Sequence, residues 1–178
     1  MKWFTADLHF NHSHIIPYTD RGFSSVDEMN EVIITRWNEK VKKGDMVYVL
    51  GDFGFMRKKE ETTSFLKKLK GRKILIIGNH DDRRVLGAEG WDWVGPYKKL
   101  KEEGREIILF HYPIRSWEGR GHGAIHLHGH THNSIELAEG RMDVGVDANK
   151  MTPFSLQDIF TELDARERRY AQMVEVGK

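Results

Sequence analysis

The chain reads as an α/β protein, and three observations predict it. Apolar runs at residues 46–50 and 73–77 have the length and continuity of strands covered on both faces. Stretches of helical periodicity separate these runs from each other and from an N-terminal strand at 2–6. Beyond residue 96 the pattern changes to short strands joined by turns, which gives the second half a different construction. Strand, helix, strand, helix, strand in the first half predicts parallel pairing there.

Taken in order, residues 2–6 deliver Asp7 and His9 at the end of the first strand. The polar stretch 8–24 carries His12, His14 and Pro17 and reads as a loop. Ser25-Val26-Asp27-Glu28 fits a capping box. Val26, Met29, Ile33, Trp37 and Val41 then recur at helical spacing, so that face is predicted to be buried. Lys43-Gly44-Asp45 ends the helix, and the run 46–50 leads into Gly51-Asp52-Phe53-Gly54. A charged helix over 57–70 follows, with Phe65, Leu66 and Leu69 inward and Gly71 as its stop. The run 73–77 leads into Gly78-Asn79-His80-Asp81.

In the second half, 97–101 and 105–110 flank Glu102-Glu103-Gly104 as a hairpin, and His111 follows directly. Residues 124–128 and 141–146 are two further strands, separated by a turn near Glu139-Gly140. Ser155 is a cap for a last helix with Leu156, Ile159, Phe160 and Leu163 on one face. No repeat, low-complexity run or linker interrupts the chain, so one domain over residues 1–178 is expected.

Composition narrows the function classes. Lys plus Arg number 28 against 27 Asp plus Glu, a formal net charge of +1, which argues against nucleic-acid binding driven by bulk charge. Absence of cysteine rules out a disulfide framework and a thiolate metal site, so any metal must be held by nitrogen and oxygen. No stretch has the apolar length of a membrane span, and Asp7 and His9 break the N-terminus before a signal-peptide core forms. A soluble, cytoplasmic protein without a membrane partner is the expectation.

The richest stretch is His126-Leu127-His128-Gly129-His130-Thr131-His132. Its four imidazoles stand at alternate positions, the period of a strand, so they share a face. Alone, the segment fits a solvated histidine patch as well as a ligand set. The rest of the chain tips the balance. Five strand ends carry metal-type ligands or histidines: Asp7-Leu8-His9, Gly51-Asp52, Gly78-Asn79-His80-Asp81, His111 and Gly129-His130-Thr131-His132. Sites in open α/β sheets form beyond the carboxyl ends of strands, so the five are expected to converge.

At these residues the chain resembles the calcineurin-like metallophosphoesterase superfamily, whose ordered pattern is D-x-H, G-D, G-N-H-D/E, a lone H, and G-H-x-H. All five pieces are present between residues 7 and 132. The resemblance implies an α/β/β/α sandwich of two mixed β-sheets flanked by helices. It also implies two divalent transition-metal ions, Mn²⁺ foremost, with Fe, Zn²⁺ or Ni²⁺ as alternatives. One ion would be held by Asp7, His9, Asp52 and His132, the other by Asp52, Asn79, His111 and His130, with Asp52 shared. The implied reaction is phosphoester hydrolysis by in-line attack of a metal-bridging hydroxide. His80, outside the ligand set, is then expected to act as general acid or to stabilise transition-state charge.

Asn11 and Arg115 are further candidates for contact with a substrate phosphate, and His12 joins Asn11 in that role. His128 is expected to support the ligands, His126 to pack, and His122 to face solvent. Trp91, Trp93, Trp117, Tyr97 and Tyr112 form a candidate stacking wall, and Arg83-Arg84 a candidate anion-steering pair. Asp52 is followed by Phe53-Gly54-Phe55, and Asn79-His80 by Asp81, a departure from the V-D-R-G and glutamate of the protein-phosphatase branch. The remaining pattern is similar to small bacterial and phage members of the superfamily. A small phosphorylated molecule, such as a nucleotide, is therefore the expected substrate, as a diester or a monoester. A metal-dependent nuclease and a non-catalytic scaffold on the same fold are the alternatives.

Overall fold

The computed structural model describes residues 1–135 and 138–176. The first half lays down β1 (Lys2–Thr5), α1 (Ile15–Tyr18), α2 (Val26–Lys40), β2 (Met46–Val49), α3 (Lys59–Lys68), β3 (Arg72–Ile76), α4 (Arg83–Leu86) and β4 (Trp91–Gly95). The second half adds β5 (Tyr97–Glu102), β6 (Arg105–Phe110), β7 (Ile125–His128), β8 (Arg141–Asp143), β9 (Phe154–Ser155) and α5 (Leu156–Val176).

These strands form two mixed sheets. The first has the order β4-β3-β2-β1-β9, parallel except for β9, which runs antiparallel to β1. The second has the order β5-β6-β7-β8, with an antiparallel β5-β6 hairpin and parallel β6-β7 and β7-β8 pairs. Two strands of the first sheet, β4 and β9, were not foreseen. β4 lies in the tryptophan-rich stretch read as a stacking wall, and β9 is only two residues long. The stretch 8–24 also holds the one-turn helix α1, too short for periodicity to reveal.

Period-two alternation divides the strands between two cores. Trp3, Val47, Val49 and Leu75 face outward onto α2 and α3, where Met29, Ile33, Trp37, Leu66 and Leu69 are buried against them. Phe4, Tyr48, Leu50, Ile74 and Ile76 face the second sheet and meet Ile107, Leu109, Ile125, Leu127 and Met142. Ile159, Phe160 and Leu163 of α5 close this inner core.

The predicted caps form. The Ser25 hydroxyl accepts from the Glu28 N–H at 3.1 Å, and the Glu28 carboxylate accepts from the Ser24 N–H at 2.7 Å. Ser155 Oγ accepts from the Asp158 N–H at 3.1 Å. Among the described residues, no helix is long and apolar enough to cross a membrane.

Candidate metal centre

In-register parallel pairing of β1 with β2 and β2 with β3 brings their carboxyl ends to one edge. The loops beyond are zipped together: the Asp7 N–H donates to Gly51 O, His9 N–H to Asp52 O and Phe10 N–H to Phe53 O, each at 3.0 Å. β6 and β7 of the second sheet add His111 and residues 129–132 from the facing side.

The backbone there is unusual. Asp7, His9, Asp52, His130 and His132 all have positive φ, between 47° and 68°. Non-glycine residues rarely adopt such angles, which cost about 1–3 kcal/mol each and cluster at functional sites. The glycines make room for the ligand set. A Cβ on Gly51 would lie 2.4 Å from His111 Nδ1, and one on Gly78 2.4 Å from Asp52 Oδ1.

Seven predicted ligands are thereby gathered. Donor atoms of Asp7, His9 and His132 lie within 4.8 Å of one another, and so do those of Asp7, Asp52 and His111. Asp52 Oδ2 stands between two imidazoles, 3.7 Å from His9 Nε2 and 3.6 Å from His111 Nε2. Asn79 Oδ1 is approached by His111 Nε2 at 2.8 Å and by His130 Nδ1 at 2.9 Å.

Several features show that these residues suit a cation. His111 Nδ1 donates to Leu50 O at 2.7 Å, which leaves Nε2 with a bare lone pair aimed at Asn79 and Asp52. His9 Nε2 is buried and has no hydrogen-bond partner, a loss of roughly 1–3 kcal/mol unless another group fills the gap. Burial, reinforced by Asp143 and Asp52, pushes the Asp7 carboxyl well above the usual range. Burial, with Arg21 and the His132 imidazole nearby, pushes His9 far down. A divalent cation relieves all of these at once, and mixed nitrogen and oxygen donors fit borderline transition metals.

An outer layer positions this set. His132 Nδ1 lies 2.7 Å from Asp147 Oδ2. Asp147 also takes a bidentate pair from Arg21, both bonds at 2.8 Å. The same guanidinium donates to the carbonyls of Asp7 at 2.7 Å and Leu8 at 3.1 Å. Asp81 accepts from the N–H groups of Gly78, Asp52 and Phe53 at 2.8–2.9 Å, locking the second and third loops together. Asp143 accepts from Thr131 Oγ1 at 2.6 Å and from the N–H groups of Asn133 and Gly145. Sequence reading assigned none of these roles.

The centre opens into a cavity of about 340 Å³ lined by His9, His12, His14, Ile15, Tyr18, Asp52, His80, His130 and His132. His80 is exposed at its mouth, with its backbone N–H held by Asp52 Oδ1 at 2.9 Å. Two expected phosphate contacts are absent from this lining. The Asn11 amide is tied to Asn30 at 2.9 Å and to Met56 Sδ at 3.5 Å. Arg115 is exposed on the segment that leads to Trp117 and also falls outside the lining.

The stacking wall does not form. The Trp91 indole donates to Val85 O, Trp117 is buried with Ile108 and Ala124, and Trp93 packs against the inner core beneath Lys98. Of the five aromatics, Tyr112 reaches the site, 4.7 Å from the His130 ring. Arg84 is bound to Asp82. His126 packs as expected, its two ring nitrogens beside Ile108 O and Tyr112 O, and burial holds it down at about 4. His128 is buried with Nδ1 2.8 Å from Gly129 O, at the start of the ligand loop. His122 is exposed.

The family model for calcineurin-like phosphoesterases matches residues 3–134. The chain belongs to that family. It is a phosphoesterase by descent, of a family that uses divalent metals, and the two mixed sheets are the fold of that family. An uncharacterised protein of Methanocaldococcus jannaschii is 35% identical over 166 residues, covering 89% of this chain and 88% of its own. The gene 66 protein of Mycobacterium phage D29 is 32% identical, covering 82% and 87% respectively. Among solved structures, a protein of unknown function from Aquifex aeolicus superposes with a TM-score of 0.76 at 27% identity, covering 90% of this phosphoesterase and 98% of that chain.

Proposed function

We propose that this phosphoesterase hydrolyses a small phosphorylated molecule at a two-metal centre. One ion is held by Asp7, His9, Asp52 and His132, and the other by Asp52, Asn79, His111 and His130. The observation that carries this reading is the Asp52 carboxylate, buried midway between His9 and His111. When bound, paired divalent cations acidify water and neutralise charge on phosphoryl oxygens.

The chain's own residues do the rest. Asp52 contributes anionic oxygens to both groups, and Asn79 contributes a neutral carbonyl that limits the negative charge between them. The Leu50 carbonyl holds the proton on His111 Nδ1, and Asp147 holds that on His132 Nδ1, so both Nε2 lone pairs face the centre. His80, exposed at the mouth, is placed to pass a proton to the departing oxygen of the substrate. Neither lysine nor arginine is among the described residues that line the cavity, which favours a small substrate over a polynucleotide tracked through its backbone.

Hydrolysis of an aryl phosphodiester and its matching monoester, with Mn²⁺ and with EDTA, tests the reading. Turnover is expected with Mn²⁺ only, and His80→Ala is expected to lower kcat by about 10²–10⁴-fold. Turnover that survives full metal removal, or that His80→Ala leaves unchanged, contradicts it.

A further inference from the structure

Phe55 is a large apolar side chain left 39% exposed, and its ring stands among imidazoles. Its centroid lies 4.0 Å from that of the His12 ring, 5.1 Å from that of His80 and 6.0 Å from that of His9. The backbone beneath it is pinned. The Phe55 N–H donates to Phe10 O at 2.8 Å, Gly54 pairs with Phe10 in an isolated bridge, and a Cβ on Gly54 would lie 2.7 Å from that same carbonyl oxygen. Phe10 is itself fully buried and stacked on Phe65 at 4.5 Å. A fixed backbone and the half-buried His12 beside it hold the Phe55 ring in one place.

His80 needs such a neighbour. An exposed side chain changes rotamer in picoseconds to nanoseconds unless something holds it. A group that passes a proton must instead stay within about 0.5 Å of its working position. The His80 backbone is fixed by its N–H bond to Asp52 Oδ1, but among the described residues no hydrogen bond or ion pair reaches its ring. Two rings pack against it instead: His9 at 5.7 Å with an interplanar angle of 61°, and Phe55 at 5.1 Å and 42°. Both separations are those of paired aromatic rings. His9 belongs to the proposed ligand set, which leaves Phe55 as the contact that takes no part in holding an ion.

We propose that Phe55 is a positioning residue for His80, fixing where the imidazole points when it serves the departing oxygen. The proposal rests on the function given above and adds the group that aims its proton donor. A phenyl ring has neither donor nor acceptor, so it restrains the direction of His80 without competing with the substrate for either ring nitrogen. Phe55 acts through His80 and touches no reacting atom. Its effect is therefore largest where the leaving oxygen is most basic and most needs the proton.

The test compares kcat and KM of the Mn²⁺-loaded protein on a phenyl phosphoester and on its 4-nitrophenyl counterpart, whose departing oxygen is far less basic. Phe55→Leu is expected to lower kcat on the phenyl ester about 10–100-fold with little change in KM, and to lower it far less on the 4-nitrophenyl ester. Phe55→Tyr, which keeps the ring, should keep the activity. In a His80→Ala background Phe55→Leu should cost nothing further, because the residue it acts through is gone. A second readout needs no turnover. In Zn²⁺-loaded protein with ¹³C-labelled histidine, the His80 ring signal, assigned by its loss in His80→Ala, should shift and gain mobility in Phe55→Leu. Partial exposure of Phe55 leaves the fold intact in both variants, which melting curves and bound Mn²⁺ check. Equal losses on the two esters, a loss that persists without His80, a fall in bound Mn²⁺ or an unmoved His80 signal overturns the positioning role while the hydrolytic reading stands. Turnover of neither ester by the wild type, or turnover that His80→Ala leaves unchanged, overturns it together with the function on which it rests.

Discussion

At the scale of single residues, the candidate centre depends on groups that stand behind the ligand set. Asp147 joins His132 to Arg21, and Arg21 in turn holds the carbonyls of Asp7 and Leu8. Removing one charge from this chain of contacts should loosen the ligands on that side. Asp147→Asn is expected to weaken metal binding about 10–100-fold, measured by titration with Mn²⁺, since partners of this kind tune ligand basicity and orientation. Unchanged affinity would reduce the pair to a surface-independent packing contact. The residues of the candidate centre were legible in the sequence as a set because each follows an apolar run and belongs to a short ordered motif. Arg21 was not, because its partner lies 126 residues away and nothing local distinguishes it from a loop arginine. Asn11 was misplaced for the converse reason: proximity in sequence to His9 did not reveal that Asn30 and Met56 take its amide.

At the scale of elements, long periodic segments were readable and short ones were not. α2 and α3 declare themselves by spacing, and β2 and β3 by unbroken apolar runs. β9 and α1 are too short to carry a period, and the tryptophans of β4 suggested a binding wall rather than a strand. Edge geometry also escaped the sequence: β7 and β8 are parallel, so the connection between them is a crossover rather than a hairpin. One contact fixes the entry to the first sheet. Asp45, just before β2, accepts from the Met1 ammonium at 2.6 Å, from the Lys42 N–H at 2.9 Å and from the Trp3 indole at 3.0 Å. These bonds, the Met1 ammonium foremost, hold the Asp45 carboxyl down at about 2. A carboxyl lowered on folding stabilises fully above its unfolded value of about 3.9, and that stability is lost as pH falls towards the folded value. Asp45→Asn is therefore expected to lower Tm at pH 7, with the difference shrinking between about pH 4 and pH 2. A gap that persists unchanged at pH 2 would assign the effect to shape alone.

At the scale of the whole molecule, two sheets from differently built halves are held together by an apolar core and meet at one polar edge. Asp7, from the first sheet, accepts from the His130 N–H of the second at 2.9 Å, and Asn79 meets His111 and His130 across the same gap. The carboxyl groups of Asp7, Asp52, Asp143 and Asp147 crowd that edge, and burial first, then repulsion from Asp143 and Asp52, keeps Asp7 raised. Metal bound there stabilises both sheets by mass action, about 2.7 kcal/mol at a hundredfold excess over Kd. Addition of EDTA should lower Tm by several degrees, and excess Mn²⁺ should restore it. A melting temperature indifferent to verified metal removal would mean that the edge folds without its ions.

The most direct measurement is the Mn²⁺ content of the protein after equilibrium dialysis, with turnover of an aryl phosphoester recorded on the same sample. Two ions per chain are predicted for the wild type and for His80→Ala, with turnover falling to near background in the variant. Asp52→Asn should lose both tight binding and turnover. Full turnover with fewer than two ions bound, or two tight ions retained by Asp52→Asn, would contradict the shared-carboxylate centre.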